Sequence, residues 1–145
     1  MSYHVSRIPG SGTLEDAFAV RRAVFIDEQD VAEEIEMDGR DEDAIHFVIV
    51  DAETDTAVGT ARLRPPNGEY AKPERVAVRE TYRGEGLGAR LMGLIESEAR
   101  TLGCERSVLH AQKQVVEFYR GLGYEVTSDE FEEAGIVHVE MEKRL

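Results

Sequence analysis

The sequence has one cysteine, Cys104, and no apolar run long enough to cross a lipid bilayer. A single cysteine excludes an intramolecular disulfide and a zinc site built on cysteine ligands. The longest apolar runs, such as residues 47–50, are far shorter than the roughly 20 residues of a membrane-spanning helix. Residues 1–10 lack the apolar segment of a signal peptide. We therefore expect a soluble cytoplasmic protein that uses no metal and binds no membrane.

Basic residues are also scarce: 17 Lys and Arg stand against 30 Asp and Glu, which gives a net charge of −13. Such a chain repels the phosphates of nucleic acids, so a nucleic-acid partner is not expected. The acidity fits a protein adapted to a high-salt cytoplasm, where salt screens the repulsion among surface carboxylates, and it fits an ordinary acidic bacterial protein equally well. Thermal melts in low and in molar potassium chloride distinguish the two, because only the first gains stability with salt.

The rest of the composition is that of a globular protein: 145 residues, 41% of them hydrophobic, with no repeat or linker. We expect one domain over residues 1–145. Strand-like and helix-like patterns follow in the order β-α-α-β-β-β-α-β-α-β-β, which predicts an α+β fold with helices on the faces of a sheet. Strands are predicted at residues 3–8, 44–51, 57–64, 107–110, 124–127 and 136–141, and another ends at residues 75–78. Helices are predicted at residues 14–25, with Thr13 as N-cap, from the glycines of residues 84–88 to Gly103, and at residues 113–121. The acidic stretch, residues 27–43, is predicted to form a short helix or a loop, and residues 65–68 are predicted to form a loop.

A glycine-rich segment, Arg83-Gly84-Glu85-Gly86-Leu87-Gly88-Ala89, joins a predicted strand to the most regular predicted helix. The first N–H groups of a helix lack helical partners and carry roughly half a positive charge, so they bind anions. Glycines let a phosphate approach the backbone closely, and the planar guanidinium of Arg83 adds a donor. The structural alternative is a turn that merely begins a helix.

Two nucleotide-binding motifs fit this segment poorly. A phosphate-binding loop of the nucleotide type needs Lys and Ser or Thr after its last glycine, whereas Ala89 and Arg90 follow Gly88. A dinucleotide site expects an acidic residue at the end of the next strand, which here ends at His110. Residues 72–90 carry five basic and three acidic residues in this acidic chain. The local positive charge favours a polyanionic ligand, and chance clustering of surface arginines is the alternative.

The same segment resembles the cofactor motif of the GNAT superfamily of N-acetyltransferases, Arg/Gln-x-x-Gly-x-Gly/Ala, which is matched at Arg83, Gly86 and Gly88. Residues 118–124 (FYRGLGY) are similar to the family's Phe-Tyr signature, in which a Gly-aromatic pair follows after three residues. The resemblance covers essentially the whole chain and implies a mixed, mostly antiparallel central sheet of six to seven strands flanked by about four helices. Three further segments resemble the ElaA-like or YjcF-like branch: residues 22–29, 38–46 and 135–141.

The resemblance implies acetyl-CoA as the co-substrate of an N-acetyltransferase that acts on a primary amine of a small molecule or a protein. It makes Tyr119 a cofactor contact and the general acid for the departing thiolate; a core aromatic beside Phe118 is the alternative. We expect direct transfer in a ternary complex, because two reactants held in one cleft gain heavily from orientation. A homodimer is compatible with the sequence. The resemblance places the pyrophosphate on the backbone amides of Arg83, Gly84, Glu85, Gly86, Leu87, Gly88 and Ala89. It places the pantetheine arm beside Val76, Ala77, Val78 and Gln112. At the position of Gln112, many family members have Asn.

The general base is left open by the sequence. An alkylamine with a pKa near about 10.4 is almost fully protonated at neutral pH, so the enzyme must remove a proton from it. The candidates are Glu28, Glu74, His46, His110 and His138. For each of them a structural or solvent-exposed role is the alternative. Cys104 follows a helix-ending glycine with no evident base nearby, which favours burial over a role as an acyl carrier.

The acidic stretch, residues 27–43, contains ten acidic residues and a single basic one, Arg40. It attracts a cationic amine, or it merely shares the acidity of the whole surface. Two other functions stay open: a non-catalytic regulator that binds acyl-CoA, and an acidic interaction module without a cofactor. The regulator binds coenzyme A but shows no rate effect of Tyr119→Phe, whereas the module gives no heat of binding with coenzyme A.

Overall fold

The computed structural model describes residues 2–64 and 69–145, so the predicted loop at residues 65–68 lies outside the described residues. Its strands are β1 Tyr3–Pro9, β2 Ile45–Asp51, β3 Thr56–Arg64, β4 Tyr70–Val78, β5 Arg106–Gln112, β6 Glu125–Val126, β7 Phe131–Glu133 and β8 Ile136–Arg144. Its α-helices are α1 Glu15–Arg21, α2 Glu33–Glu36, α3 Leu87–Thr101 and α4 Val116–Gly121. A π-helix spans Arg22–Glu28, and short 3₁₀ turns lie at Asp41–Asp43, Glu80–Tyr82 and Lys113–Val115. Among the helices that the structure describes, none has the length and apolar character needed to cross a membrane.

The strands form one sheet in the order β1-β2-β3-β4-β5-β8-β6, with β7 paired to β8. Every neighbouring pair in the described sheet is antiparallel except β4 and β5. The predicted α+β fold with a mixed, mostly antiparallel sheet and about four helices is therefore confirmed. The described sheet has eight strands, one more than the upper number expected. The additional strand is β7, whose three residues are too few to show an alternating pattern.

Different helices cover the two faces of the sheet. On one face, which we call the α3 face, Leu91 and Ile95 of α3 pack in one core with Ile49 of β2. On the other, the α1 face, Val20 of α1 packs with Val48 of β2. Successive side chains of a strand point to opposite faces, so the neighbours Val48 and Ile49 serve opposite cores. The site described below lies between these two layers.

The first helix differs from its prediction at both ends. Leu14 is the N-cap residue of α1 and makes no side-chain capping bond, so the predicted capping by Thr13 is wrong. The predicted three-turn helix is instead α1 followed by the π-helix, in which the N–H of Gln29 donates to the carbonyl of Val24 at 3.1 Å. Over two or three turns, apolar spacing does not separate an α-helix from the wider π-helix. Such π-helical turns occur frequently at functional sites.

The parallel pair β4 and β5 forms a fork. The two strands pair only at their first residues, Tyr70 with Arg106 and Ala71 with Ser107. Beyond these residues no further pairing joins the described parts of the two strands, and they separate toward their C-terminal ends. The fork opens the sheet from one face to the other, which is where a ligand can lie as an additional strand.

Candidate active site

A cavity of about 880 Å³ occupies the fork between β4 and β5. Its volume falls within the range of about 300–1,000 Å³ that is usual for ligand pockets. The glycine-rich segment, the C-terminal halves of β4 and β5, the π-helix and α4 contribute to its wall. Every residue predicted to contact the cofactor lies on this wall except Glu85. The carboxylate of Glu85 instead accepts a hydrogen bond from the Tyr3 hydroxyl at 3.1 Å.

The glycine-rich segment presents bare backbone to the cavity. Gly84 and Gly86 have φ of 85° and 79°, a conformation that favours glycine, and Gly86 is the N-cap of α3. At Gly88, an added Cβ would lie 3.2 Å from Cζ of Phe118. The first helical bond of α3 runs from the Arg90 N–H to the Gly86 carbonyl at 3.1 Å, so the preceding N–H groups have no helical acceptor. The geometry fits a phosphate ligand at the N-terminus of a 15-residue helix.

Arg83 is placed differently from the expectation that its guanidinium adds a phosphate donor. Its two terminal nitrogens donate to the two carboxylate oxygens of Glu28, each at 2.7 Å, and its Nε donates to the Val78 carbonyl at 2.9 Å. The hydrogen bonds from Arg83 hold the pKa of Glu28 below its ordinary value. A carboxylate stabilised in this way is a weak proton acceptor, which counts against Glu28 as the base.

Gln112 forms a second contact across the cavity. Its side-chain amide donates to Gln29 Oε1 at 2.8 Å and accepts a hydrogen bond from Gln114 at 3.0 Å. Gln29 directly follows Glu28, the last residue of the π-helix. The end of the π-helix therefore makes two contacts: Glu28 binds Arg83, which follows β4, and Gln29 binds Gln112 at the end of β5. Gln112 therefore has partners already, but its amide keeps one N–H and one lone pair that no hydrogen bond of the described residues uses.

A set of buried ion pairs, which we call the arginine network, supports the wall on the α1 face. Arg21 and Arg62 are almost fully buried. Arg21 contacts Glu36 at 2.7 Å and Asp41 at 2.6 Å, and Arg62 contacts Asp38 at 2.9 Å. The network consists of Arg21, Arg62, Arg75, Glu36, Asp38, Asp41 and Glu74.

The network affects its carboxylates differently, and burial raises the pKa of Glu36 despite its arginine partners. Burial alone raises the pKa of Asp38, but hydrogen bonds from Arg62 and from the Arg40 N–H outweigh it and hold that pKa well below its usual range. Glu74, the other base candidate of the predicted site, accepts a hydrogen bond from Arg62 at 2.8 Å, and Arg64 Nε lies 3.6 Å from the same oxygen. This oxygen is already occupied by two guanidinium groups, which counts against Glu74 as the base.

Tyr119 lies on α4 and lines the cavity. It is 8% exposed and packs edge-on against Phe118 and Tyr124. No hydrogen bond joins its hydroxyl to another of the described residues. Burial raises the pKa of Tyr119 to about 12. The hydroxyl therefore stays protonated at neutral pH and can donate a hydrogen bond to a ligand in the cavity that Tyr119 lines.

A β-bulge in β4 lies at the centre of the fork and was not apparent from the sequence. Thr60 pairs with Ala77 and Arg62 pairs with Glu74, so that two residues of β4, Arg75 and Val76, lie opposite one residue of β3. Arg75 has a φ of 55°, which is unusual for a residue other than glycine. A bulge bends its strand and redirects the groups beside it. Here it turns β4 away from β5 where Val76, Ala77 and Val78 reach the cavity.

The remaining predicted candidates divide into two groups. His46 is fully buried behind the cavity wall, where its Nε2 lies 3.0 Å from the Asp41 carbonyl and burial lowers its pKa. Cys104 is buried, lies off the described cavity wall, and has a pKa raised by burial, in agreement with a structural role. His110 and His138 line the cavity together with Glu133, which no sequence pattern singled out.

Comparisons with known proteins agree with this geometry. A family model described as the acetyltransferase (GNAT) domain matches residues 13–145. The uncharacterized N-acetyltransferase YjcF of Bacillus subtilis is 41% identical over 131 residues, which cover 90% of this chain and 91% of that protein. The uncharacterized protein YyaT of the same organism is 36% identical over 145 residues, covering 98% and 96%. The crystal structure of Escherichia coli ElaA has a TM-score of 0.85 at 26% identity, covering 98% of this chain and 99% of that chain. The chain thus belongs to the GNAT acetyltransferase family, in its ElaA-like and YjcF-like branch, and is an acyl-CoA N-acyltransferase.

Proposed function

We propose that this protein transfers the acetyl group of acetyl-CoA directly to a primary amine of a small molecule or a protein, within a ternary complex. The observation that carries the proposal is that the glycine-lined N-terminus of α3 and Tyr119 line the same cavity, in a fork of the sheet. This arrangement suits a long ligand that has a diphosphate toward one end and a thioester at the other.

The cofactor end is held by backbone. The free N–H groups at the start of α3 bind the pyrophosphate, since glycines leave the approach open. The exposed edge of β4 at Val76, Ala77 and Val78 lies along the fork, where it binds the amides of the pantetheine arm as a further strand would. Acetyl-CoA supplies an activated acyl group on sulfur. The residues of the chain orient that thioester and exclude water from it.

Tyr119 assists the departure of the thiolate. Because its pKa is raised to about 12 and that of a thiol is about 8.5, complete transfer of its proton to sulfur is unfavourable. A hydrogen bond to the developing negative charge is therefore its main contribution. This role requires the hydroxyl and not the aromatic ring.

Direct transfer is favoured by the residues that line the cavity. None of the described lining residues is Cys, Ser or Thr, the usual nucleophiles for an acyl-enzyme. Cys104 is buried elsewhere. The amine therefore attacks the thioester itself, and the gain comes from holding both reactants in one geometry.

The amine reaches the thioester from the α1 face, where the acidic stretch lies. Five of its ten acidic residues contact arginines, so much of its charge serves the fold. These residues are Glu28, Glu33, Glu36, Asp38 and Asp41. Selection of cationic amines is tested with spermidine, a lysine amide and a neutral arylamine. Equal transfer rates contradict it.

The proposal is tested by calorimetry with acetyl-CoA followed by a thiol-release assay with the same amines. We expect binding, thiol release that depends on amine, and a loss of kcat of roughly 10²-fold in Tyr119→Phe, with acetyl-CoA affinity unchanged. Binding without any amine-dependent thiol release identifies a non-catalytic acyl-CoA-binding protein instead. No heat of binding contradicts the cofactor site altogether.

A further inference from the structure

The cavity wall includes a group of polar residues that were not assigned to cofactor binding above: His110 on β5, Glu133 on β7 and His138 on β8. Leu109 and Ala111 of β5 pack with Tyr119 in the core below α4. Because side chains alternate along a strand, His110 projects to the other face, the α1 face, where the acceptor is proposed to bind. The thioester in the fork thus has Tyr119 on one side and His110 on the other.

Hydrogen bonds fix the protonation pattern of both imidazoles. His110 Nδ1 lies 2.9 Å from Glu133 Oε1. A carboxylate only accepts, so Nδ1 carries the hydrogen and the neutral ring has its lone pair on Nε2. His138 Nδ1 lies 2.7 Å from the Ile136 carbonyl and is likewise a donor. Its Nε2 lies 3.8 Å from the second oxygen of Glu133.

Phe131 holds these rings in place. Its ring contacts His110 edge-on, with centroids 5.0 Å apart, and is stacked with His138 at 6.0 Å. Because Phe131 and Glu133 both belong to β7, this short strand positions both groups that orient His110. His138 is held by the hydrogen bond from its Nδ1 to the Ile136 carbonyl, and its side chain is 8% exposed against 37% for that of His110.

We propose that His110 Nε2 accepts the proton of the attacking amine, and that Glu133 is the positioning residue that makes it able to do so. This inference rests on the proposed function. The ammonium form of the amine first loses one proton to His110 Nε2. The neutral nitrogen then bonds to the acetyl carbon as the carbon–sulfur bond breaks, and the second proton of that nitrogen passes to solvent. The sulfur leaves as a thiolate that is hydrogen-bonded by Tyr119 and is later protonated by solvent.

The charges around His110 favour this role. The hydrogen bond from its imidazole to Glu133 raises the pKa of His110, partial burial opposes the rise, Glu140 of β8 adds to it, and Lys72 of β4 opposes it. The pKa of Glu133 is lowered, mainly by the same hydrogen bond and further by His138 and Arg75. A more basic imidazole is a stronger proton acceptor, and it is available once the pH exceeds its pKa.

The other candidates are less suitable on geometric grounds. Glu28 and Glu74 are held by Arg83 and Arg62. His46 is buried away from the described cavity wall. The dyad of His110 and Glu133 combines a position on the wall, a defined tautomer and a lone pair that no hydrogen bond of the described residues occupies.

The test uses His110→Gln, Glu133→Gln and, as a matched control, His4→Gln, which removes an exposed imidazole from β1. Calorimetry with acetyl-CoA shows that each variant is folded and binds the co-substrate. We expect His110→Gln to lower kcat/KM for spermidine by roughly 10²-fold or more, and His4→Gln to leave it unchanged. For an arylamine such as 4-methoxyaniline, which is unprotonated at neutral pH, His110→Gln is expected to lower kcat/KM by a smaller factor.

Glu133→Gln separates positioning from simple structural damage. The acid limb of the pH profile of kcat/KM reports the pKa of His110, so losing the carboxylate moves that limb to lower pH and also reduces the maximal rate. Proton NMR of the His110 ring is expected to show the same fall in pKa without any amine present. Identical pH profiles of wild type and Glu133→Gln, or full activity of His110→Gln, overturn the inference while leaving the proposed function intact. A wild-type protein that binds acetyl-CoA but acetylates no amine overturns both.

Discussion

The two walls of the cavity are built from different interactions. The cofactor wall, which consists of the glycine-rich segment, α3 and α4, rests on the apolar core of the α3 face, with residues such as Leu91 and Ile95. The acceptor wall, which consists of the π-helix, α2 and residues 38–41, rests on the arginine network. Apolar contacts are indifferent to pH, whereas ion pairs depend on the charge of every member. The cofactor wall is therefore expected to keep its structure under conditions that loosen the acceptor wall.

The largest losses of stability are expected from Arg62→Met and from Leu91→Ala. Arg62→Met leaves three carboxylates without their shared buried partner, which costs about 3–5 kcal/mol of stability. Leu91→Ala, on the cofactor wall, creates a cavity and costs about 2–5 kcal/mol. Urea denaturation at neutral pH measures both losses, and calorimetry with acetyl-CoA is expected to show that Arg62→Met still binds.

The two losses are expected to differ in their pH dependence. The folded-state pKa values of Asp38 and Asp41 are lowered, so their contribution to stability is present above the unfolded value, about 3.9, and disappears as the pH falls through the folded values. The deficit of Arg62→Met relative to wild type therefore shrinks as the pH falls below about 4. The deficit of Leu91→Ala stays constant. A constant deficit in both variants contradicts the distinction between the walls.

A smaller effect on stability is expected from replacing Gly86, in the glycine-rich segment, or Gly93, in α3, by alanine. Gly86 has a φ of 79°, and Gly86→Ala costs about 1–2 kcal/mol of stability because the added Cβ is strained there. Gly93→Ala is the matched control, since Gly93 lies within α3 with open space around it, and a gain of about 0.5–1 kcal/mol is expected. Thermal melts measure both. Acetyl-CoA affinity should fall in Gly86→Ala alone, and equal affinities contradict the role of this turn in binding.

The cofactor wall was the more predictable of the two because its signals are local. The glycines, the apolar stripe of α3 and the Phe118-Tyr119 pair each lie within a few residues of one another, and the family resemblance is carried by the same segments. Periodicity also identified the sheet strands, with the exception of β7, which is three residues long. Gly86 was predictable as a glycine of a turn, whereas the bulge at Arg75 was not, since arginine gives no sign of a positive φ.

The acceptor wall could not be predicted from the sequence because the residues that contact one another in it are far apart along the chain. Arg62 and Asp38 are 24 residues apart, Arg83 and Glu28 are 55 apart, and Gln112 and Gln29 are 83 apart. Charged residues usually lie on solvated faces, so the acidic stretch suggested a surface and not a buried network. Glu133 had the same difficulty, because only the pairing of β7 with β8 brings it to His110.

The smallest effect is expected where the two walls touch, at the ion pair of Glu28 and Arg83. Both side chains are partly exposed, so Glu28→Gln should change stability by no more than about 1 kcal/mol. Glu28→Gln has a larger effect on the binding of acetyl-CoA. It releases the guanidinium of Arg83 beside the glycine-rich segment and removes one negative charge from the cavity. We expect the affinity for the polyanionic acetyl-CoA to rise, by roughly fivefold at most in low salt, and the gain to fade as salt screens the charges.

Glu33→Gln is the matched control for this effect. Glu33 belongs to the same acidic stretch and pairs with Arg22, but neither residue lines the cavity. The two variants change the net charge equally, so a gain confined to Glu28→Gln assigns it to the release of Arg83. A gain in both variants assigns it to the overall charge of the protein instead. Weaker binding in Glu28→Gln alone contradicts the prediction and shows that the ion pair shapes the glycine-rich segment for the cofactor, which makes the two walls interdependent.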